Sequence, residues 1–212
     1  MQGLETVYKA HHKRRGDGFA ILLDARGSWL RKHVGVGKKV LDIGCRDGEL
    51  TGTYATGNEV TGTDIDSAAL ARAADKLQIK TVHADLNSDW PFAQGAYDAV
   101  VACEFLEHIY FTDVIFEKVN AVLVPGGVFV GTIPHAYSLQ SRVKFLLGIK
   151  RGTPLEDPTH INHFKFSAFT QLLSEHFEII EMSSHVPARY RWLSAIAPFA
   201  FAHDIFFAAR KR

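Results

Sequence analysis

Val40-Leu41-Asp42-Ile43-Gly44-Cys45-Arg46-Asp47-Gly48 is an apolar strand that runs into a turn punctuated by glycine. A strand that ends this way and feeds a helix turns free backbone N–H groups toward a ligand. Glycine suits such a turn because a Cβ would obstruct both the tight bend and the approach of a ligand to the backbone. Sixteen residues after Gly48, a second strand-like run, Val60-Thr61-Gly62-Thr63, ends in Asp64. In a parallel α/β fold, a carboxylate at the tip of the next strand is placed to accept hydrogen bonds from the two hydroxyls of a ribose. Together the two stretches predict a site for a nucleoside-type cofactor. The spacing departs from the dinucleotide pattern G-x-G-x-x-G: Gly44 and Gly48 are four apart, Arg46 lies between them, and the next glycine is Gly52.

Working outward, strand-like and helix-like runs alternate at 39–43, 49–55, 58–63, 67–77, 79–83, 97–102, 104–108, 113–122 and 127–133. This alternation predicts an α/β fold with a doubly wound, mostly parallel sheet and helices on both faces. Ser67 is placed to cap the helix over 67–77. Before the first strand, Phe19, Leu22, Leu23, Trp29 and Leu30 recur at near-helical spacing. Residues 1–17, with Lys9, His11, His12, Lys13, Arg14 and Arg15, are expected to be an irregular or weakly helical basic arm, solvated or lying over the site as a lid. After 133 the pattern loosens into a helix over 137–148, a long loop over 150–163 holding Pro154 and Pro158, a helix over 167–177, a strand over 178–184 and a last strand over 204–209. Loops of that length are commonly functional.

A chain of 212 residues predicts one domain, 1–212, large enough to bury a core. Apolar content of 47% and a formal net charge of +1 argue against disorder and against bulk affinity for nucleic acid. Two cysteines, Cys45 and Cys103, do not make a secreted disulfide framework, although a bridge between them stays open. The first residues are polar and basic, unlike a signal peptide, and no run of eighteen apolar residues occurs. The expectation is a soluble, cytoplasmic protein.

The order of these stretches resembles the class I S-adenosylmethionine-dependent methyltransferases. Asp42 to Gly48 is similar to their glycine motif D-x-G-x-G-x-G, with Arg46 in place of the middle glycine and its guanidinium expected near the cofactor carboxylate. Val60 to Asp66 looks like the ribose-binding strand end, and His83-Ala84-Asp85-Leu86 like the adenine-binding turn. Tyr97 to Ile109 is similar to the fourth-strand signature, and Leu123-Val124-Pro125-Gly126-Gly127 to the turn before the fifth strand. Leu106-Glu107-His108, Pro134-His135 and His160-Ile161-Asn162-His163-Phe164 resemble the small methyltransferases that include ubiquinone O-methyltransferases and MetW-like proteins. The resemblance implies a seven-stranded sheet whose last strand is antiparallel, with 134–166 as an insertion on the substrate side. It implies S-adenosyl-L-methionine as cofactor and S-adenosyl-L-homocysteine as product. It places the backbone of Gly44, Cys45 and Gly48 at the methionine part, Asp64 at the ribose, and Ile65, Asp85 and Leu86 at the adenine. The Cys103 carbonyl would meet the ammonium, and Asp42 would order the turn through backbone N–H groups.

Methyl transfer from a sulfonium is an in-line displacement that needs positioning more than a covalent nucleophile. A hydroxyl acceptor also needs a base, and His108 and His163 are the leading candidates, ahead of His135 and His160. Glu104, Glu107 and His108 would share one face if their segment is helical, and could bind a cation with His160 or His163. The same residues equally suit a metal-free pocket wall, and no metal ligand is assigned. Arg189 to Phe207, rich in aromatics, suits an interface with a lipid-like acceptor or, in preference, a dimer contact or a cover for the sheet. The sequence therefore predicts methyl transfer to a small molecule at oxygen, with lipid-linked and glycan precursors among the candidates. The alternative is a non-catalytic accessory protein that binds the same cofactor and acts through a partner.

Overall fold

The computed structural model describes residues 2–88, 90–187, 192 and 199–212. In chain order the elements are α1 (Gln2–Arg15), α2 (Leu23–Val34), β1 (Lys39–Ile43), α3 (Gly52–Ala55), β2 (Glu59–Asp64), α4 (Ser67–Leu77), β3 (Lys80–His83) and β4 (Tyr97–Cys103). A 3₁₀ turn, Leu106–His108, leads to α5 (Thr112–Val122), β5 (Leu123–Pro134), α6 (Leu139–Leu146), α7 (Phe166–His176), β6 (Glu178–His185) and β7 (Asp204–Arg210). The seven strands form one sheet in the order β3-β2-β1-β4-β5-β7-β6. β7 runs antiparallel to both β5 and β6, and the pairings among β1 to β5 are parallel. β1 lies inside the sheet between β2 and β4, and its residues 40–43 are all buried, as expected of a strand covered on both faces.

From β1 the chain winds outward to β2 and β3 on one side, then returns to place β4 and β5 on the other. The direction of winding thus reverses between β1 and β4, which opens a crevice at the carboxyl ends of these strands. The sheet is held from both faces. Phe116, Phe129, Phe169, Phe177 and Phe207 pack on one side, and Trp29, Leu30, Val34 and Tyr54 on the other.

Several local expectations are corrected. Residues 2–15 form a full helix instead of a loose arm. Asp66, not Ser67, caps α4, its carboxylate accepting from the N–H groups of Ala68 and Ala69. The helix expected over 49–55 is confined to four residues. The segment 104–108 is not an α-helix: Glu104 has a positive φ of 52°, and the 3₁₀ turn begins only at Leu106. In the aromatic stretch, 189–191 and 193–198 lie outside the described residues. Of the remainder, Phe199 stacks on Phe166 with ring centroids 3.5 Å apart, and Phe206 and Phe207 are buried in β7. Among the described residues no helix is long and apolar enough to cross a membrane.

Candidate cofactor and acceptor site

The crevice is a cleft enclosing about 1170 Å³, part of it open to solvent. Its floor comes from the β1 turn, the ends of β2 and β4, and the turn after β3. Its roof is α1, which contributes Leu4, Tyr8, His11, His12 and Arg15.

Asp42 sits beneath the turn. Its carboxylate accepts hydrogen bonds from Thr51 Oγ1, at 2.6 Å, and from the Tyr54 hydroxyl, so it orders the turn through side chains and not through backbone N–H groups. Burial pushes its carboxyl up to about 6, against the pull of those two hydroxyls. Gly44 lines the cleft at a φ of 77°, and a Cβ there would fall 2.8 Å from the Phe105 ring. Gly48 (φ 74°) faces α4 instead, where a Cβ would meet Leu77 at 2.7 Å and Ala73 at 3.1 Å. It shapes the turn by packing and is not among the lining residues. Cys45 and Cys103 both line the cleft as free thiols, so no bridge joins them. Burial pushes the Cys103 thiol up to about 12 and raises that of Cys45 as well.

Asp64 ends β2 at the cleft floor. One carboxylate oxygen accepts from the Arg46 N–H at 2.9 Å, and the other from the Asp66 N–H at 2.8 Å. Burial raises its pKa. A carboxylate can accept about four hydrogen bonds, so each oxygen keeps capacity for a ligand hydroxyl. Ile65, Asp85 and Leu86 form the adjoining wall. Asp85 commits Oδ1 to the backbone and side-chain amides of Asn87. The Arg46 guanidinium donates to the carbonyls of Phe19 at 3.0 Å, His12 at 3.4 Å and Gly16, and so braces α1 and the segment after it. His12 adds a contact to Asp66 at 2.9 Å, and Arg15 one to Asp157 at 3.3 Å.

His108 also lines the cleft. Its Nδ1 lies 2.9 Å from the Thr159 carbonyl, which can only accept, so Nδ1 carries the proton and Nε2 keeps its lone pair. Burial lowers the imidazole pKa to about 3, so the ring is neutral near physiological pH. His160 is held in the same tautomer by the Pro154 carbonyl at 2.9 Å. Both Nε2 atoms stand 3.9 Å from Glu107 Oε1. Glu107 is 1% exposed, its two carboxylate oxygens lack a hydrogen-bond partner, and burial raises its pKa well above the ordinary range. One donor atom from each of these three residues lies within 4.8 Å of the others, a donor set able to hold a divalent cation. Glu104 is not part of this group: its positive φ turns it to Arg26, at 2.9 Å, which also holds the buried Asp204 at 3.2 Å. His163 is half-buried and lines none of the cavities described, while His135 bonds the Ala202 carbonyl beside a separate small cavity. A second cleft, with Asp157 and His160 in its wall, shares His11, Arg15, Ile21, Arg26 and Glu104 with the first.

Residues 41–131 match the methyltransferase domain family model. This span covers the β1 turn, Asp64, Asp85, Cys103 and His108. Residues 41–131 are thus a methyltransferase domain in sequence, and the fold around them is that of the class I S-adenosylmethionine-dependent methyltransferases. A ubiquinone biosynthesis O-methyltransferase of Stutzerimonas stutzeri is 34% identical over 124 residues, which are 53% of this chain and 53% of that protein. A sterol 24-C-methyltransferase of Gibberella zeae is 28% identical over 125 residues, covering 54% of this chain and 33% of the other. The chain thus spans about half the length, or less, of these curated relatives. Among solved structures, the Burkholderia thailandensis 1,6-didemethyltoxoflavin-N1-methyltransferase, solved with bound 1,6-didemethyltoxoflavin and S-adenosylhomocysteine, shares the fold. The TM-score is 0.71 at 18% identity, covering 98% of this chain and 87% of that one.

S-adenosylmethionine is the cofactor of this methyltransferase family, and the residues present fit it: a positive-φ glycine at the cleft, a buried carboxylate with free acceptor capacity, and an apolar wall beside Asp85. From sequence, His11 and His12 are named only as part of a basic arm, solvated or a lid, and Tyr8, Thr51 and Tyr54 are missed. Thr51 and Tyr54 could have been found as hydroxyls one helical turn past the glycine turn. The α1 residues carry no such signal, because their place is set by tertiary contacts.

Proposed function

We propose that this chain transfers the methyl group of S-adenosylmethionine to the oxygen of a small-molecule acceptor. The observation that carries this reading is that His108 and Asp64 line one cleft, with the Nδ1–H of His108 held by the Thr159 carbonyl so that Nε2 keeps its lone pair. Bound there, the cofactor would supply an electrophilic methyl group. Asp64 would hold the ribose, Asp85 and Leu86 the adenine, and the Gly44–Cys45 backbone and the Cys103 carbonyl the methionine part. α1 would close over the pair and exclude water, and Nε2 of His108 would take the acceptor proton. The similarity to ubiquinone O-methyltransferases supports oxygen as the methylated atom, and the second cleft supplies room for an acceptor that shares a wall with the cofactor. Lipid-linked and glycan precursors remain the acceptor classes in view. The convergence of Glu107, His108 and His160 favours one variant, in which these three hold a divalent cation that lowers the pKa of the acceptor hydroxyl.

The test is transfer of a labelled methyl group to a panel of phenols, alcohols and lipid-linked sugars, with donor binding followed by calorimetry. Asp64→Asn is expected to weaken donor binding by about a hundredfold or more, through loss of charge-assisted hydrogen bonds. His108→Gln is expected to lower turnover with donor binding unchanged. Tight donor binding with no transfer to any acceptor would favour the accessory-protein reading.

A further inference from the structure

The described residues expose fifteen large apolar side chains, and six of them fall between residues 137 and 149. Leu146 is 87% exposed and Leu147 69%, with Leu139, Val143 and Ile149 each above 40%. Leu139, Val143 and Leu146 stand at i, i+4 and i+7 on one face of α6, and Leu147 and Ile149 extend that face past its end. Isolated apolar residues on a surface need no explanation, but a contiguous set of this size does.

The charges within the patch are of one sign, and the first carboxylate after it, Glu156, accepts from the Gly152 N–H at 2.6 Å. Arg142, Lys144, Lys150 and Arg151 flank it, and no Asp or Glu occurs between residues 135 and 155. Arg142, Lys150 and Arg151 are exposed. This concentration stands out in a chain whose overall net charge is only +1. A two-fold contact between copies through the patch would press the two basic sets together, which disfavours a second copy as its occupant. Protruding leucines with a rim of Lys and Arg are instead the chemistry of a segment lying in the headgroup region of an anionic bilayer.

We infer that residues 137–151 form a docking surface for membranes containing anionic lipid. α6 lies flat on the bilayer with Leu139, Val143, Leu146 and Leu147 below the headgroups and the exposed Arg142, Lys150 and Arg151 among the phosphates, while Lys144 holds the carbonyls of Arg151 and Gly152. The other side of α6 borders a cavity to which His135, Gln140 and Pro154 contribute, and Gly152 and Pro154 also line the second cleft. Docking therefore sets that cleft beside the membrane surface. This last step rests on the methyl-transfer reading, since it makes the acceptor an amphipathic molecule drawn from the bilayer. The docking itself does not.

The test is co-sedimentation of the full chain with vesicles of phosphatidylcholine alone and of equal parts phosphatidylcholine and phosphatidylglycerol, without methyl donor. The mixed vesicles are expected to bind at least tenfold more tightly. Lys150→Glu with Arg151→Glu should weaken binding about 25-fold or more, since each basic residue near an anionic surface contributes about fivefold. Leu146→Ser with Leu147→Ser should weaken it about tenfold or more, through lost apolar burial. All four positions are exposed, so both variants are expected to keep the wild-type melting temperature. Equal sedimentation of the wild type with and without phosphatidylglycerol would overturn the inference, as would indifference to the leucine pair. A leucine-dependent dimer in light scattering, with no vesicle binding, would assign the patch to a second copy and also overturn it. Vesicle binding by a chain that transfers no methyl group would leave the docking surface standing and remove only the methyl-transfer reading.

Discussion

Replacing Arg46 with glycine restores the residue that the glycine motif carries in related sequences, and two consequences of opposite kind follow. The first concerns the turn. Arg46 has a φ of 51°, a conformation that costs a side-chain-bearing residue about 1–2 kcal/mol and glycine nothing. Against this, glycine adds about 0.5–1 kcal/mol of lost backbone freedom on folding. The turn by itself should therefore change global stability by no more than about 1 kcal/mol, a shift of roughly 2–4 °C in melting temperature for a chain of this size. The second concerns α1. Its C-terminal end and the residues after it lose the guanidinium that binds the carbonyls of His12, Gly16 and Phe19. Hydrogen bonds from a charged group contribute about 1.5–3 kcal/mol, and for this half-buried guanidinium we take about 2–3 kcal/mol for the set. Local detachment of α1 should then become about 30- to 150-fold more frequent. Amide hydrogen exchange reads the two effects separately. Residues 2–15 should exchange faster by that factor in Arg46→Gly, while amides of α4, residues 67–77, that exchange by local opening stay near wild type. Unchanged protection of α1 would refute the brace. Equal acceleration of α1 and α4 would show that the substitution acts on global stability alone.

Gly48→Ala should act through packing, because the new Cβ would press on Leu77 and Ala73 at a φ of 74°. The expected loss is about 2–4 kcal/mol, or roughly 5–15 °C in melting temperature. A variant that melts like wild type would mean that the turn relaxes freely. The His108 imidazole, held at about 3 by burial against an ordinary 6.5, makes stability pH-dependent in a defined direction. Below pH 6.5 the unfolded chain binds a proton there that the folded chain does not. The contribution is therefore full above 6.5 and is lost as pH falls toward 3, at up to about 1.4 kcal/mol per pH unit. Melting temperature measured from pH 7.5 to 4.5 should fall more steeply for wild type than for His108→Gln. Parallel curves would contradict the buried, neutral imidazole.

Much of this architecture is legible in the residues. The β1 strand, its glycine turn and Asp64 declare themselves because each depends on local chemistry: a doubly buried apolar run, a positive φ and a carboxylate at a strand end. Helix α4 is found to the residue for the same reason, although its cap is Asp66, and choosing between two adjacent capping residues needs backbone geometry that the letters do not hold. The expected helical face of Glu104, Glu107 and His108 fails because a positive φ at Glu104 turns that side chain to Arg26, and the partner that makes this favourable lies 78 residues away. His160 joins Glu107 and His108 through the loop that Thr159 and Pro154 anchor, a long-range closure with no local signature. The roof is legible only as one of two readings, a solvated arm or a lid. α1 is polar enough to pass for a solvated arm, and long-range contacts, among them those of Arg46, Asp66, Ser67 and Asp157, place it over the cleft.

The insertion of β7 between β5 and β6 has a consequence for how the chain is made. β5 and β6 are never hydrogen-bonded to each other, so β6 leaves the ribosome before its partner in the sheet exists. At a synthesis rate of about 5–20 residues per second, the interval before β7 follows is roughly 1–5 s. Through that time the nascent sheet ends at a bare β5 edge, and β6 waits as an unpaired strand on α7. Both are surfaces onto which another extended chain could add. The last strand is thus the wedge that closes the sheet, and the interval before its arrival is when a nascent-chain chaperone would matter most for this protein.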